Sequence, residues 1–338
     1  MAAAFPLRRA VVTGGTGFVG ANLVRRLLDE GCDVHLLLRP GHADWRIADI
    51  RGRLTQHVLD IADPAALDRV LRIVRPDCLF HLAAHGAYSW QRDAAAIRHV
   101  NLLATQALAR AALGAGVPSM VHAGSSSEYG RKDHAPAEDE PVAPEGDYAV
   151  TKAAATAFCR DFARREGMRI PTLRLYSAYG PWEAPERLVP RLVAAALEGR
   201  LPPLAAPDTA RDFVAAEDVA EAFMRAATRP LEDPGAVINI GTGRQTRLQD
   251  IVALMCSLLP VADAPCWHAM PDRAWDTDVW VADSRRADQV LGWRATTPLD
   301  AGLSSMIAWM RSDPVILSRY RMAVLETPPP MREHIGTP

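Results

Sequence analysis

The chain has 338 residues, 49% of them hydrophobic and 23% charged, with a formal net charge of -2. That length accommodates two domains, or one large α/β unit with an appendage, and buries a core without disulfide or metal staples. The near-neutral balance argues against a surface built for nucleic acid or an anionic membrane, and no apolar run approaches the roughly 20 residues that span a bilayer.

The stretch from Met1 to Arg9 holds one Phe and two Arg and runs straight into a strand, so no signal peptide is expected and the cytoplasm is the expected compartment. Five scattered cysteines (Cys32, Cys78, Cys159, Cys256 and Cys266) form no Cys-x-x-Cys pair and read as reduced thiols. Of 38 basic residues only Lys132 and Lys152 are lysines, so each marks a position where arginine does not serve. From Arg9 to about Tyr179 short apolar runs alternate with amphipathic stretches. Ala10–Thr13, Val34–Leu38, Cys78–Ala83, Ser119–His122 and Thr172–Tyr176 read as buried parallel strands. Val19–Glu30, Pro64–Val74, Ala94–Gly114 and Ala149–Glu166 read as helices, the first closed by Gly31. The alternation predicts an α/β fold, a Rossmann-type doubly wound parallel sheet. Past Gly180 prolines interrupt the rhythm. This predicts a dinucleotide-binding domain over 1–178 and a smaller, irregular substrate-binding lobe over 179–338. Segments near 211–228 and 237–243 return to the first domain, and a proline-rich tail follows Arg311.

Thr13-Gly14-Gly15-Thr16-Gly17-Phe18-Val19-Gly20 follows the first strand and opens a helix. Gly14, Gly17 and Gly20 permit a tight turn, close approach of backbone to a pyrophosphate and close helix–strand packing, with the helix N-terminus at Phe18 and Val19 facing the phosphates. The second strand ends Leu38-Arg39, with leucine where NAD sites place an acid. A carboxylate repels a 2′-phosphate and a guanidinium binds it, so Arg39 favours NADP over NAD. Asp60 and Ile61 are placed at the adenine, and Ala83 and Ala84 are small enough to let the cofactor pass. His81 and His85 are four apart at a strand end, which is no ligand geometry, and no metal is expected.

Tyr148 and Lys152 lie one helical turn apart on one face. A phenol near pKa 10 is a poor acid–base at neutral pH, and an adjacent ammonium is expected to draw it down. Ser125, in Gly124-Ser125-Ser126-Ser127-Glu128-Tyr129-Gly130 just past a strand, supplies a hydroxyl for a substrate oxygen.

With these motifs in order, the chain resembles the extended short-chain dehydrogenase/reductases, in particular the nucleotide-sugar epimerase, dehydratase and ketoreductase branch, from about Arg9 to Met310. Leu173–Pro181, Arg211-Asp212-Phe213-Val214, Asn239–Gly243 and Leu291-Gly292-Trp293 carry the rest of the likeness. The resemblance implies Ser125, Tyr148 and Lys152 as catalytic residues, with Lys152 anchoring the nicotinamide ribose. It implies Asn101 as a structural asparagine of the cofactor site, although Ala104 replaces the family's glycine, and it adds Tyr176 to the cofactor residues. Arg211 and Arg273 match arginines that hold a substrate diphosphate. Ser177 replaces the family's asparagine beside it. Ser126, Ser127 and Arg187, with Trp182 and Glu183, are placed in the substrate pocket.

The family's dehydratases carry an acid two residues before the tyrosine of the Ser125–Gly130 motif. Here Ser127 holds that place, so dehydration is not expected. The expectation is NADPH-dependent reduction of a nucleotide 4-keto-6-deoxyhexose at C4. The alternatives are an epimerase with tightly bound NAD and a non-catalytic dinucleotide-binding redox sensor. The alanine-rich helices Ala94–Gly114 and Ala149–Glu166 are expected to pair two copies into a four-helix bundle.

Overall fold

The computed structural model describes residues 5–88, 90–270 and 277–326. Strands β1 (Arg9–Thr13), β2 (Asp33–Leu38), β3 (Thr55–Val58), β4 (Cys78–His81), β5 (Met120–Ser125) and β6 (Thr172–Leu175) lead to three short strands: β7 (Ser177–Tyr179), β8 (Ala210–Arg211) and β9 (Phe213–Ala215). Then come β10 (Val237–Ile240) and β11 (Thr246–Arg247). One seven-stranded sheet has the order β10-β6-β5-β4-β1-β2-β3, parallel throughout, with the chain reversing direction across the sheet after β3. Central strands are covered on both faces, so β4 reads as an unbroken buried run, Cys78-Leu79-Phe80-His81.

Helices cover both faces. α1 (Phe18–Asp29) turns Leu23, Val24, Leu27 and Leu28 inward and stops where Gly31 takes a φ of +76°, which only glycine adopts freely. α2 (Pro64–Val74) starts with Asp63 capping Ala65 and Ala66 and with proline in its first turn. The stretch expected to be one helix over Ala94–Gly114 is continuous but not uniform. α3 (Ala94–Arg98) passes through a π-turn at His99–Leu103 into α4 (Ala104–Gly114). α5 (Gly146–Glu166), α6 (Leu188–Ala196), α7 (Ala216–Thr228), α8 (Leu248–Leu258), α9 (Arg285–Leu291), α10 (Leu299–Ser312) and α11 (Pro314–Glu326) follow.

Three apolar cores result. One packs α1 and α7 on a sheet face through Val12, Leu23, Val24, Phe80 and Phe223. A second packs α2, α4 and α5 on the other through Leu67, Leu71, Leu108, Met120 and Phe162. The third, around Leu192, Ile251, Met255, Met306 and Tyr320, holds α6, α8, α10 and α11 together beside the sheet. Strand β3 carries Thr55, Gln56 and His57 at the sheet edge; its polarity hid it from the apolar-run reading. All five cysteines are free thiols. Among the described residues no helix is long and apolar enough to cross a membrane.

Candidate active site

The glycine turn fits a dinucleotide on two counts. A Cβ on Gly14 would lie 2.6 Å from the Ala83 nitrogen, and one on Gly20 would lie 2.1 Å from the Gly14 oxygen, so both close approaches require glycine. The N-terminus of α1 has no side-chain cap and no acid in its first turn, leaving the N–H groups at Phe18 and Val19 and the positive dipole end for an anion. Opposite this turn, the hydrogen bonds run in one direction. The Ala83 N–H donates to Thr13 Oγ1 (3.2 Å), and that hydroxyl donates to His81 Nδ1 (2.7 Å). His81 Nε2 donates to Thr105 Oγ1 (2.8 Å), which passes its own proton to the Asn101 carbonyl (2.7 Å). The chain of donors requires neutral His81, and burial, reinforced by the Lys152 charge, pushes its pKa down to about 3. His81 is thus a structural link between strand ends, a role its spacing from His85 did not reveal. Among the described residues no cluster of three or more metal-binding side chains occurs.

The π-turn turns Asn101 inward, fully buried. Its amide brackets residue 85, accepting from the His85 N–H (2.8 Å) and donating to the His85 carbonyl (2.9 Å) and to Thr151 Oγ1 (3.0 Å). Thr151 adjoins Lys152, so Asn101 ties α5 to the segment after β4. Gly86 presses on the same helix: a Cβ there would stand 3.4 Å from the Tyr148 Cβ.

Ser125, Tyr148 and Lys152 converge at the end of β5. The Ser125 hydroxyl stands close enough to Tyr148 to act on its phenol, and the buried Lys152 ammonium donates to the Ala123 carbonyl two residues upstream. Here the structure departs from the expectation that Lys152 draws the phenol down. Burial is the largest influence and pushes the Tyr148 pKa up, opposed by the Ser125 hydroxyl and by the charge of Arg187. Lys152 itself is lowered by burial to about 8, and its ammonium is held by the Ala123 carbonyl.

Glu128 explains the rigidity of this corner. Fully buried, its carboxylate accepts from the Ser125 N–H (2.8 Å) and Thr156 Oγ1 (3.0 Å) and pairs with Arg174 Nε (2.8 Å). Tyr129, stacked under the Arg174 guanidinium, donates to Asn239 Oδ1 (2.8 Å) and so joins β5, β6 and β10. Ser127 Oγ bonds Ser125 Oγ (2.8 Å). Ser126 and Tyr176 line a cavity with Lys132, His134 and Trp280, and the Arg211 guanidinium stands 5.6 Å from the Trp280 ring. The Ser177 N–H is taken by the Asp212 carbonyl (3.0 Å). Arg187 sits 3.7 Å from the buried Glu183 carboxylate. Tyr88 and Arg46, not singled out in the sequence, stand within electrostatic reach of one another and of this group. At the far end Asp60 accepts from the Ala62 N–H (2.9 Å) and lies 3.4 Å from His99, Ile61 packs half-buried beside it, and Ala84 is exposed. Arg39 is exposed just past β2. Arg273 lies outside the described residues.

A doubly wound parallel sheet with this glycine cradle and a Ser–Tyr–Lys group at the strand ends defines an extended short-chain dehydrogenase/reductase. The description "NAD dependent epimerase/dehydratase family" matches residues 10–241, and the chain belongs to that family. It is 31% identical over 314 residues to a UDP-glucose 4-epimerase of Mycolicibacterium smegmatis, covering 90% of this chain and 99% of the relative. A dTDP-glucose 4,6-dehydratase of Neisseria meningitidis serogroup B is 28% identical, with 90% and 93% covered. Among solved structures, MoeE5 in complex with UDP-glucuronic acid and NAD is 33% identical with a TM-score of 0.78, covering 90% of this chain and 99% of that one. The NADP preference drawn from Arg39 finds no support here: the family is described as NAD dependent, and several solved relatives are complexes with NAD.

Proposed function

We propose that the protein is a nucleotide-sugar 4-epimerase that retains NAD, with a UDP-hexose as the first substrate to test. The observation that carries this reading is the orientation of Glu128. Dehydration needs an acid facing the sugar from the Ser125–Gly130 loop. The acid in that loop is turned into the core and spent on Ser125, Thr156 and Arg174. The remaining groups suit reversible oxidation at C4. The Gly14–Gly20 turn and Lys152 would hold NAD, which would supply a reversible hydride acceptor for C4. Tyr148 removes the proton of the C4 hydroxyl and later returns it, while Ser125 holds that oxygen beside the phenol. Arg187, whose charge already lowers the phenol, favours the deprotonated form as the proton leaves. Ser126, Ser177 and Arg211 are the residues assigned to the nucleotide of the substrate. The reductase reading would need a cofactor that leaves at every turnover, and its case for NADPH rests on Arg39 and the leucine before it.

Exposed Leu103 and Val150, at the start of α4 and on α5, support pairing of two copies through these helices; sedimentation at micromolar concentration checks it.

The test is to denature the purified protein, identify any released nucleotide by mass, and assay interconversion of UDP-glucose and UDP-galactose. Stoichiometric NAD with interconversion and no net NADH is expected. An empty protein that oxidises NADPH on a 4-keto sugar would overturn the reading.

A further inference from the structure

The segment 181–187, which carries Glu183 and Arg187 toward Tyr148, is held by its carbonyls. Three consecutive ones each accept from a side chain of a different part of the molecule. Pro181 O accepts from Asn22 Nδ2 of α1 (2.9 Å), and Trp182 O accepts from Arg46 Nε (2.7 Å). Glu183 O accepts from the Tyr320 hydroxyl of α11 (2.6 Å). The segment needs holding. Trp182 has a φ of +71°, a region sparsely populated by residues other than glycine and kept only where the surroundings over-determine it. Its indole is gripped from three sides, by Trp45 (6.0 Å), by Trp309 of α10 (5.1 Å) and by the Arg25 guanidinium (4.1 Å). Tyr320 is itself fully buried, edge-on to Trp309 (5.7 Å) and to Trp45 (6.4 Å). Directly beyond that strained residue, Glu183 is buried with its Oε2 unpartnered among the described residues. A carboxyl left in this state keeps its direction only while its backbone is fixed. Of the three anchors, α11 lies outside residues 10–241, the part the family shares.

The geometry points to Tyr320 as a positioning residue for the sugar-facing segment: α11 clamps the Glu183 carbonyl and so fixes where Glu183 and Arg187 stand relative to Tyr148. The inference rests on the epimerase reading for its substrate, but the clamp itself can be measured without turnover. Tyr320→Phe keeps the ring and its aromatic packing and removes only the hydroxyl. Arg321→Ala, on the same helix as Tyr320, breaks only the surface pair with Glu198 and serves as the control.

Both variants and the wild type would be compared by thermal melting, by limited trypsin digestion with mass mapping of the cut after the exposed Arg187, and by steady-state kinetics on UDP-glucose. For Tyr320→Phe the cut after Arg187 should quicken about fivefold, the loss of one hydrogen bond, with other cut sites unchanged. Its KM should rise about fivefold with kcat within twofold, and Arg321→Ala should match the wild type throughout. An unchanged cut or an unchanged KM would overturn the inference, and so would acceleration of every cut site together with a lowered melting temperature, which marks packing alone. Should the wild type not turn over UDP-glucose, the epimerase reading falls by itself. The trypsin map then still decides whether Tyr320 holds the segment.

Discussion

The two sides of the cleft are built by opposite means. The dinucleotide side is backbone: glycines whose neighbours stand too close for any Cβ, an uncapped helix end, and strand termini joined by a directed chain of hydrogen bonds. The side we assign to the sugar is a short irregular segment fixed by side chains reaching in from Asn22, Arg46 and Tyr320, more than a hundred residues away in sequence. A fold that must bind one constant ligand and one variable one gains by this division. Backbone recognition tolerates few substitutions, whereas side-chain anchors let the sugar side change without disturbing the sheet.

The sharpest test of the division strikes the chemistry where the two sides meet. Tyr148→Phe should lower kcat on UDP-glucose by about 10²- to 10⁴-fold while NAD content, read by mass after denaturation, stays stoichiometric. Loss of the nucleotide as well would mean that the two sides are not separable at this residue. Next in size, Glu128→Gln leaves the Arg174 guanidinium buried without its counter-charge, and chemical denaturation should show a loss of about 3–5 kcal/mol. Gly20→Ala drives a methyl into the Gly14 carbonyl. It should cost about 1–3 kcal/mol in the same measurement and release the cofactor, whereas no change on the sugar side of the cleft is expected.

That contrast also sets what could be read from the sequence. The glycine turn, the strand–helix alternation and the Tyr148–Lys152 spacing are local patterns, and the structure gathers those residues at one end of the sheet. The π-turn that aims Asn101 was hidden inside an uninterrupted helical pattern, since His99-Val100-Asn101-Leu102-Leu103 carries no glycine or proline to mark a change of winding. Glu128 stood in the sequence as a loop acid one place late. Only the approach of Arg174, 46 residues on, shows it to be half of a buried ion pair. The grip on Trp182 was illegible for the same reason, each anchor being a long-range contact between residues with no motif of their own. Lys152 stood out in the sequence by its rarity and its spacing from Tyr148, but spacing on a helix says nothing of the burial that dominates the Tyr148 phenol.

A smaller effect should appear with pH. Burial pushes the Glu183 carboxyl up to about 8, so its protonated form favours the folded state. That contribution is complete below about pH 4.3, the ordinary glutamate value, and is lost as pH rises through about 8. Glu183→Gln cannot lose it. The melting temperature of the variant should therefore gain on the wild type as pH climbs from 5 to 8.5, in about that order of pH units, and a constant difference would remove the claim. Lys152 runs the other way: burial lowers it to about 8, so its cost to stability develops as pH falls from about 10.4 and is complete below about 8, but it is common to both proteins and cancels in the comparison.

The π-turn between α3 and α4 has a consequence in evolutionary time. A π-turn is a helix carrying one residue more than its hydrogen-bonding ladder needs. Deleting a single codon within His99–Leu103 would restore an ordinary helix, so a stable, well-folded descendant lies one small genetic event away. The same event would remove the widened turn that aims Asn101 and draw it off His85 and Thr151, while the flanking helices keep their faces. A chain shortened in this way would keep its fold and lose what Asn101 holds in place, so the surplus residue serves the site and not the helix.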